Sequence, residues 1–297
     1  MDLTLDDERL VDAPGPRVGT PFRRTKHPLW RAFGYLVLLT ATLVLLVPFY
    51  WMLMSSLKLD NDVYTSPVKW FPDPVVWGNY VRIWSKSDLV TWVKNTLILS
   101  CAVTFLQVLT GSFAAYGFAK VRFPGRNLLF MLYVATIAVP WQSYMIPQFI
   151  LFGKLRLDDT LLSIVALQAF GAFGVFLMKS YYESVPDELL DAARIDGMNE
   201  YGIWRRIMMP LSMPAVASLS LLTFVNTWND YLGPLLYLRD PGLRTIQLGL
   251  NTFVSQYNAD HALIMTGSVL SVVPIAVIFM LGQRYFIQGI ATTGLKG

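Results

Sequence analysis

The sequence predicts an all-α membrane protein with six spanning helices and both termini on the cytoplasmic side. Three observations point there. Of 297 residues, 54% are hydrophobic and only 15% charged, whereas soluble domains carry roughly a quarter charged residues. The apolar residues gather in six long runs, each of a length suited to crossing a bilayer as a helix. Lys and Arg collect in alternate connections between those runs, the bias that sets membrane orientation.

Residues 1–30 are polar, with Asp2, Asp6, Asp7, Glu8 and Asp12 followed by Arg17, Arg23, Arg24 and Lys26. Pro14, Gly15 and Pro16 break any helix, so this tail is expected to be disordered and cytoplasmic. Residues 31–297 form the membrane domain. Its first run, residues 32–54, would extend about 35 Å as a helix. It is too long for a secretory signal and lacks a small-residue cleavage site. Five further spans are expected at about residues 92–118, 128–152, 161–178, 213–237 and 262–286. Arg23, Arg24, Lys26 and Arg31 precede the first; Lys120, Arg122 and Arg126 follow the second; Lys179, Arg194, Arg205 and Arg206 follow the fourth; Arg284 and Lys296 end the chain. These sides are read as cytoplasmic. Residues 55–91 are read as external, although they carry Lys58, Lys69, Arg82 and Lys86, and their Trp70, Phe71, Trp77 and Trp84 suit a membrane interface.

Pro48, Pro140, Pro147, Gly171, Gly174, Pro234 and Pro274 interrupt the spans. Such breaks either form kinks satisfied by neighbouring helices or expose carbonyls to a water-filled path. The stretch from Pro140 to Pro147, with Trp141, Gln142 and Ser143, is the one assigned to a pathway.

Several chemistries are excluded. There is one cysteine and there are two histidines, so neither an internal disulfide nor a metal site of the usual ligand spacing can be assembled. No phosphate-binding G-x-x-x-x-G-K-[ST] loop and no Ser/His/Asp set is present. The net charge of +4 comes without a basic patch interleaved with aromatics, which argues against nucleic acid. The chain is therefore expected to bind no cofactor and to draw energy from another subunit or an ion gradient. The fifth run carries Asn226, Thr227, Trp228, Asn229, Asp230 and Tyr231. A carboxylate there marks either a ligand contact or an interfacial residue. Amides and indoles suit an uncharged, hydroxyl-rich solute. Gln107 and Gln168 are expected to bond between helices, and Gly111 with Ala115 to let helices approach closely.

Residues 184–211 form a polar island between the fourth and fifth runs. Ser184 and Asp187 read as a capping box and Pro186 as a first-turn proline. Leu189, Ala192 and Ala193 share a helix face, Gly197 ends that helix, Asn199 caps a second, and Pro210 closes it. The flat alanine face and the charges of Asp191 and Asp196 read as a docking surface for another protein.

Glu188, Asp191, Ala192, Ala193, Asp196 and Gly197, with Pro210, resemble the "EAA" loop in permease subunits of bacterial ATP-binding-cassette (ABC) importers. Asp191 stands where Glu is usual and Met209 where Leu is usual. Over about residues 36–297 the chain also carries Trp70-Phe71-Pro72-Asp73-Pro74, Ala114-Ala115-Tyr116-Gly117, Phe123-Pro124-Gly125-Arg126 and Trp228-Asn229-Asp230. Together these resemble the maltose-type carbohydrate branch, and within it the shorter of two permeases. The resemblance implies a type I importer fold and a heterodimer with a second, related permease. It also implies two cytoplasmic ATPases that hold ATP and Mg, an external solute-binding protein, and import of a sugar by alternating access. It assigns the ATPase contact to the island residues and to Gly294, Lys296 and Gly297 of the tail. Permeases for glycerol phosphates look alike and form the alternative; an ion-coupled secondary transporter would require inverted repeats and buried ionisable residues that the sequence lacks.

Overall fold

The computed structural model describes residues 28–254 and 259–293. The rest of the N-terminal tail and Gly294, Lys296 and Gly297 lie outside the described residues. The chain divides after Tyr50 into two units, and α1 (Pro28–Ser56) crosses the division. It is apolar on every side and exposed along most of its length, the composition of a helix in lipid.

Beyond residue 50 the fold is built on α3 (Leu89–Lys120), which follows the short α2 (Gly78–Lys86). The third expected span is two helices, α4 (Arg126–Ala135) and α5 (Met145–Lys154). Pro140 divides them: it has no N–H to donate, and the residue before it, Val139, is extended. The fourth is also divided, into α6 (Leu161–Gln168) and α7 (Ala172–Tyr182), bent by 43°. The island holds α8 (Asp187–Ile195), α9 (Glu200–Ile203) and α10 (Met209–Leu211), and after it come α11 (Met213–Trp228), α12 (Leu232–Tyr237), α13 (Ile246–Leu250) and α14 (His261–Thr293). The fifth span is thus interrupted between Trp228 and Leu232. Among the described residues three helices are long and apolar enough to cross a bilayer unbroken: α1, α3 and α14. Pro48 and Pro274 sit inside continuous helices. Pro147 and Pro234 fall in the first turns of α5 and α12, where a missing N–H leaves nothing unpaired.

Helix α3 packs on α7, α11, α6 and α13. It comes close to α7 where Gly111 faces Gly174; a Cβ on Gly111 would lie 3.5 Å from the Gly174 carbonyl carbon. Ala115, one turn on, is buried. At the end of α3 near Leu89, Asn95 donates to the carbonyls of Gly242 and Arg244, and Thr96 accepts from the Ile246 N–H. Three of the four cations of residues 55–91 are tied down within this segment and its neighbours. Lys58 is 1% exposed, donates to the Lys69 carbonyl and lies 4.0 Å from the Trp51 ring centre. Lys69 pairs with Asp62, and Arg82 with Asp260. Most of the cations counted against an external assignment are therefore internal fastenings, not a free positive surface.

Candidate functional site: a polar cavity and a braced docking loop

The island folds into three helices, α8 (Asp187–Ile195), α9 (Glu200–Ile203) and α10 (Met209–Leu211), with a wide π turn over Trp204–Met208 between the last two. In that turn the Met209 N–H bonds back to the Trp204 carbonyl, five residues away; Pro210 follows, unable to donate. Gly197 adopts φ +83°, the left-handed conformation glycine tolerates, and the Met198 N–H reaches the Ala193 carbonyl to close α8. Asn199 caps α9 by accepting from the Gly202 N–H at 2.8 Å. Ser184 does not cap: its hydroxyl donates back to Tyr181, so the expected capping box is absent.

The expected docking face needs correcting. Ala193 is 6% exposed and, with Leu190, joins a core of Tyr116, Tyr182, Ile203, Trp204 and Met208. Ala192, Asp191, Glu188, Leu189 and Asp196 face outward. Ile195 is 87% exposed and Leu189 50%. Successive positions on a helix point about 100° apart, so Ala192 and Ala193 divide between partner and core. Asp191 has a partner within the chain: Arg194 holds it at 2.7 Å and also donates to Glu200 at 2.9 Å.

Three contacts fix the island to α3. The Lys120 ammonium donates to the Val185 carbonyl and to Asp187, both at 2.6 Å. The Tyr116 hydroxyl donates to Glu200. Phe113 meets the Trp204 ring edge-on at 5.3 Å. The Lys120 hydrogen bond holds the Asp187 carboxyl below the usual carboxylate range. Hydrogen bonds from Arg194 first, then Tyr116, do the same for Glu200, and Arg194 is correspondingly more basic.

The three broken spans border a cavity of about 460 Å³. Its walls include Trp141 and Tyr144 from the α4–α5 break, Phe170 and Phe173 beside the α6–α7 break, and Asn226 and Asp230. The break in the fourth span frees the carbonyls of Gln168 and Ala169; Gln107 and Thr110 of α3 donate to them at 2.8 and 3.0 Å. Thr223 donates to Gln107, Thr227 to Gln168, and Gln168 to Asp230 at 2.7 Å. The Gly233 N–H reaches the other Asp230 oxygen, and a Cβ on Gly233 would stand 2.5 Å from that carboxylate. A side chain there would push the Asp230 carboxylate off its present partners.

Of the residues singled out in the fifth run, the structure brings Asn226, Thr227 and Asp230 to the cavity together with Gln107 and Gln168. Trp228 is fully buried, stacked on Phe224, with its indole N–H on Ser271. Asn229 bonds its own helix at Val225. Tyr231 lines a separate hollow of about 250 Å³. Gln142 is exposed and away from the cavity, while its neighbour Trp141 is held there by Gln148 at 2.8 Å. The glutamines serve as the expected bonds between helices and also form the cavity wall. Tyr144, Phe170 and Phe173 carried no signal, since an aromatic residue in an apolar run reads equally as lipid-facing.

Comparison with known proteins gives this arrangement a setting. Residues 107–292 match the family described as binding-protein-dependent transport system inner membrane component. The chain is 33% identical to the arabinooligosaccharides transport system permease protein AraQ of Halalkalibacterium halodurans, a match covering 83% of this chain and 89% of the relative. It is 29% identical to the sn-glycerol-3-phosphate transport system permease protein UgpE of Yersinia pestis, covering 87% and 95%. In fold it is similar to a chain of a bacterial ABC transporter involved in the import of the acidic polysaccharide alginate, with a TM-score of 0.77, 24% identity and coverage of 90% and 100%. The chain therefore belongs to the binding-protein-dependent transport system inner membrane components: it is a multi-pass permease of an ABC importer.

Proposed function

We propose that this permease carries a neutral sugar, as one half of a heterodimer with a second, related permease. Two cytoplasmic ATPase subunits bind ATP and Mg and dock on residues 184–211, and an external solute-binding protein delivers the sugar. Six spans place both termini and the island in the cytoplasm. The tail residues Gly294, Lys296 and Gly297 add a second ATPase contact, and residues 1–30 form a separate tail.

The observation that carries the docking is the exposed face of α8. Ile195, Leu189 and Ala192 offer apolar surface beside Asp191 and Asp196, outside any membrane-spanning run, on a loop whose inner face is locked into the core. A rigid knob with an apolar, acidic outer face suits a partner with an apolar cleft and a basic residue. Asp191 already engages Arg194, so the partner's cation would share that carboxylate. Glu188, Gly197 and Pro210 shape the knob. Ala193 supports it from within.

The cavity supports the substrate. Its described walls present amides, hydroxyls and flat aromatic rings but no Lys or Arg, the groups that bind hydroxyls in place of phosphates. A relative named for arabinooligosaccharides agrees with this. A relative named for sn-glycerol-3-phosphate supports a second reading, glycerol-phosphate import, which would call for a cation in the partner permease's half of the path. The test is uptake into proteoliposomes holding the complete transporter, offered a labelled arabino-oligosaccharide or glycerol 3-phosphate. Uptake of the neutral solute alone supports the proposal; uptake of the phosphate alone overturns it.

A further inference from the structure

The three contacts between α3 and the island differ in what lies behind them. Phe113 on Trp204 is an apolar ring contact that ends at the buried indole, and Lys120 on Asp187 holds the first turn of α8. The Tyr116 contact continues through further side chains to Asp191 on the exposed face. Tyr116, 3% exposed, donates to Glu200; both Glu200 oxygens accept from Arg194, at 2.9 and 3.3 Å; and the remaining Arg194 nitrogen reaches Asp191 at 2.7 Å. An unbroken chain of hydrogen bonds thus runs from a carboxylate on the outer face of α8 to a buried phenol on α3. Arg194 is its shared member. A cation offered to Asp191 from outside shares that carboxylate with Arg194, weakens its pull on the guanidinium, and so strengthens the Arg194 bonds to Glu200. Toward the cavity, nine residues from Tyr116 and about 13 Å along the helix, α3 carries Gln107, which bonds Thr223 and the free carbonyl of the broken fourth span.

We infer that Tyr116 and Glu200 are positioning residues of the coupling step: through Arg194 they make a contact at Asp191 felt by α3, and through α3 by the cavity wall. This rests on the docking of an ATPase at α8.

The test uses the complete transporter in proteoliposomes, in a Cys101→Ser, Asn226→Cys background. The rate of maleimide labelling at the cavity is compared without nucleotide and with Mg and the non-hydrolysable analogue AMP-PNP. Tyr116→Phe removes only the hydroxyl and leaves the ring against Tyr182. Glu200→Gln keeps an acceptor for Tyr116 but removes the charge that holds Arg194. Both are expected to shrink the nucleotide-dependent change in labelling by about tenfold, the worth of a hydrogen bond to a charged group, with AMP-PNP binding and ATPase co-purification unchanged. Phe113→Leu loosens the same junction outside the chain of hydrogen bonds and is expected to keep the change. A full nucleotide response in Tyr116→Phe and Glu200→Gln overturns the inference. So does an equal loss in Phe113→Leu, since any loosening would then suffice. A parent transporter whose labelling ignores nucleotide sinks the docking itself, and the inference with it.

Discussion

Two neighbouring alanines separate the roles of docking and folding. Ala192→Asp places a carboxylate on the outer face of α8, where water solvates it. The protein is expected to reach the membrane and keep its thermal stability while its ATPase subunits no longer co-purify. Ala193→Asp buries an unpaired charge against Ile203 and Trp204, at a cost of about 3 kcal/mol or more, and is expected to lower the yield of folded protein. Equal outcomes for the two variants, measured by membrane yield and pull-down, would contradict the division of faces. Gly197 makes a finer case. No atom lies within 4 Å of a Cβ built there, so Gly197→Ala suffers only the left-handed φ, about 1 kcal/mol. A Gly197→Asn variant is expected to melt closer to the parent than Gly197→Ala, because Asn tolerates that conformation. Identical melting of all three would show that strain is absent.

The elements bring together what single residues do not reveal. Sequence periodicity locates the apolar runs but not where they break, since Pro48 and Pro274 stay within helices while Pro140 ends one. The cavity was therefore only half legible. Asn226 and Asp230 stood out as polar groups in an apolar run, whereas Tyr144, Phe170 and Phe173 became wall residues only once the breaks were placed. The island was more legible, because Gly197 and Asn199 act through local backbone chemistry that sequence states directly. The Tyr116–Glu200 contact, 84 positions apart, left no local trace. Two element-scale outcomes follow from the observed bonds. Gln107→Leu strips two hydrogen bonds and strands Thr223 and the Gln168 carbonyl; the loss is expected to be about 1–3 kcal/mol, read as a lower melting temperature and slower uptake. An unchanged Tm would mean water replaces both. For the island, Asp187 and Glu200 have folded pKa values below their ordinary ones. Their contribution is present above the unfolded values, about 4, and is lost as pH falls through the lower folded values. Amide exchange in α8, corrected for its intrinsic pH dependence, is expected to be flat from about pH 5 to 8 and to accelerate below about 4. Lys120→Met is expected to weaken the part due to Asp187; flat protection through the acid range would contradict the ion-pair bracing.

At the scale of the whole molecule, α3 joins three layers of function. One end is pinned to the segments around residues 242–246, the middle bonds the walls of the cavity, and the last turns grip the island. A movement of the island cannot leave α3 where it is without breaking charged contacts. In the proposed docking, that link carries a movement imposed on the island to the cavity walls. The measurement closest to this claim is photo-cross-linking from Ile195, the most exposed apolar side chain of the island. With benzoyl-phenylalanine at position 195 in the complete transporter, irradiation is expected to give an adduct with an ATPase subunit. The same probe at Trp77, in the segment assigned to the external side, is expected to give none. An ATPase adduct from position 77, or its absence from position 195 in an actively transporting sample, would contradict the assignment of residues 184–211 as the coupling surface.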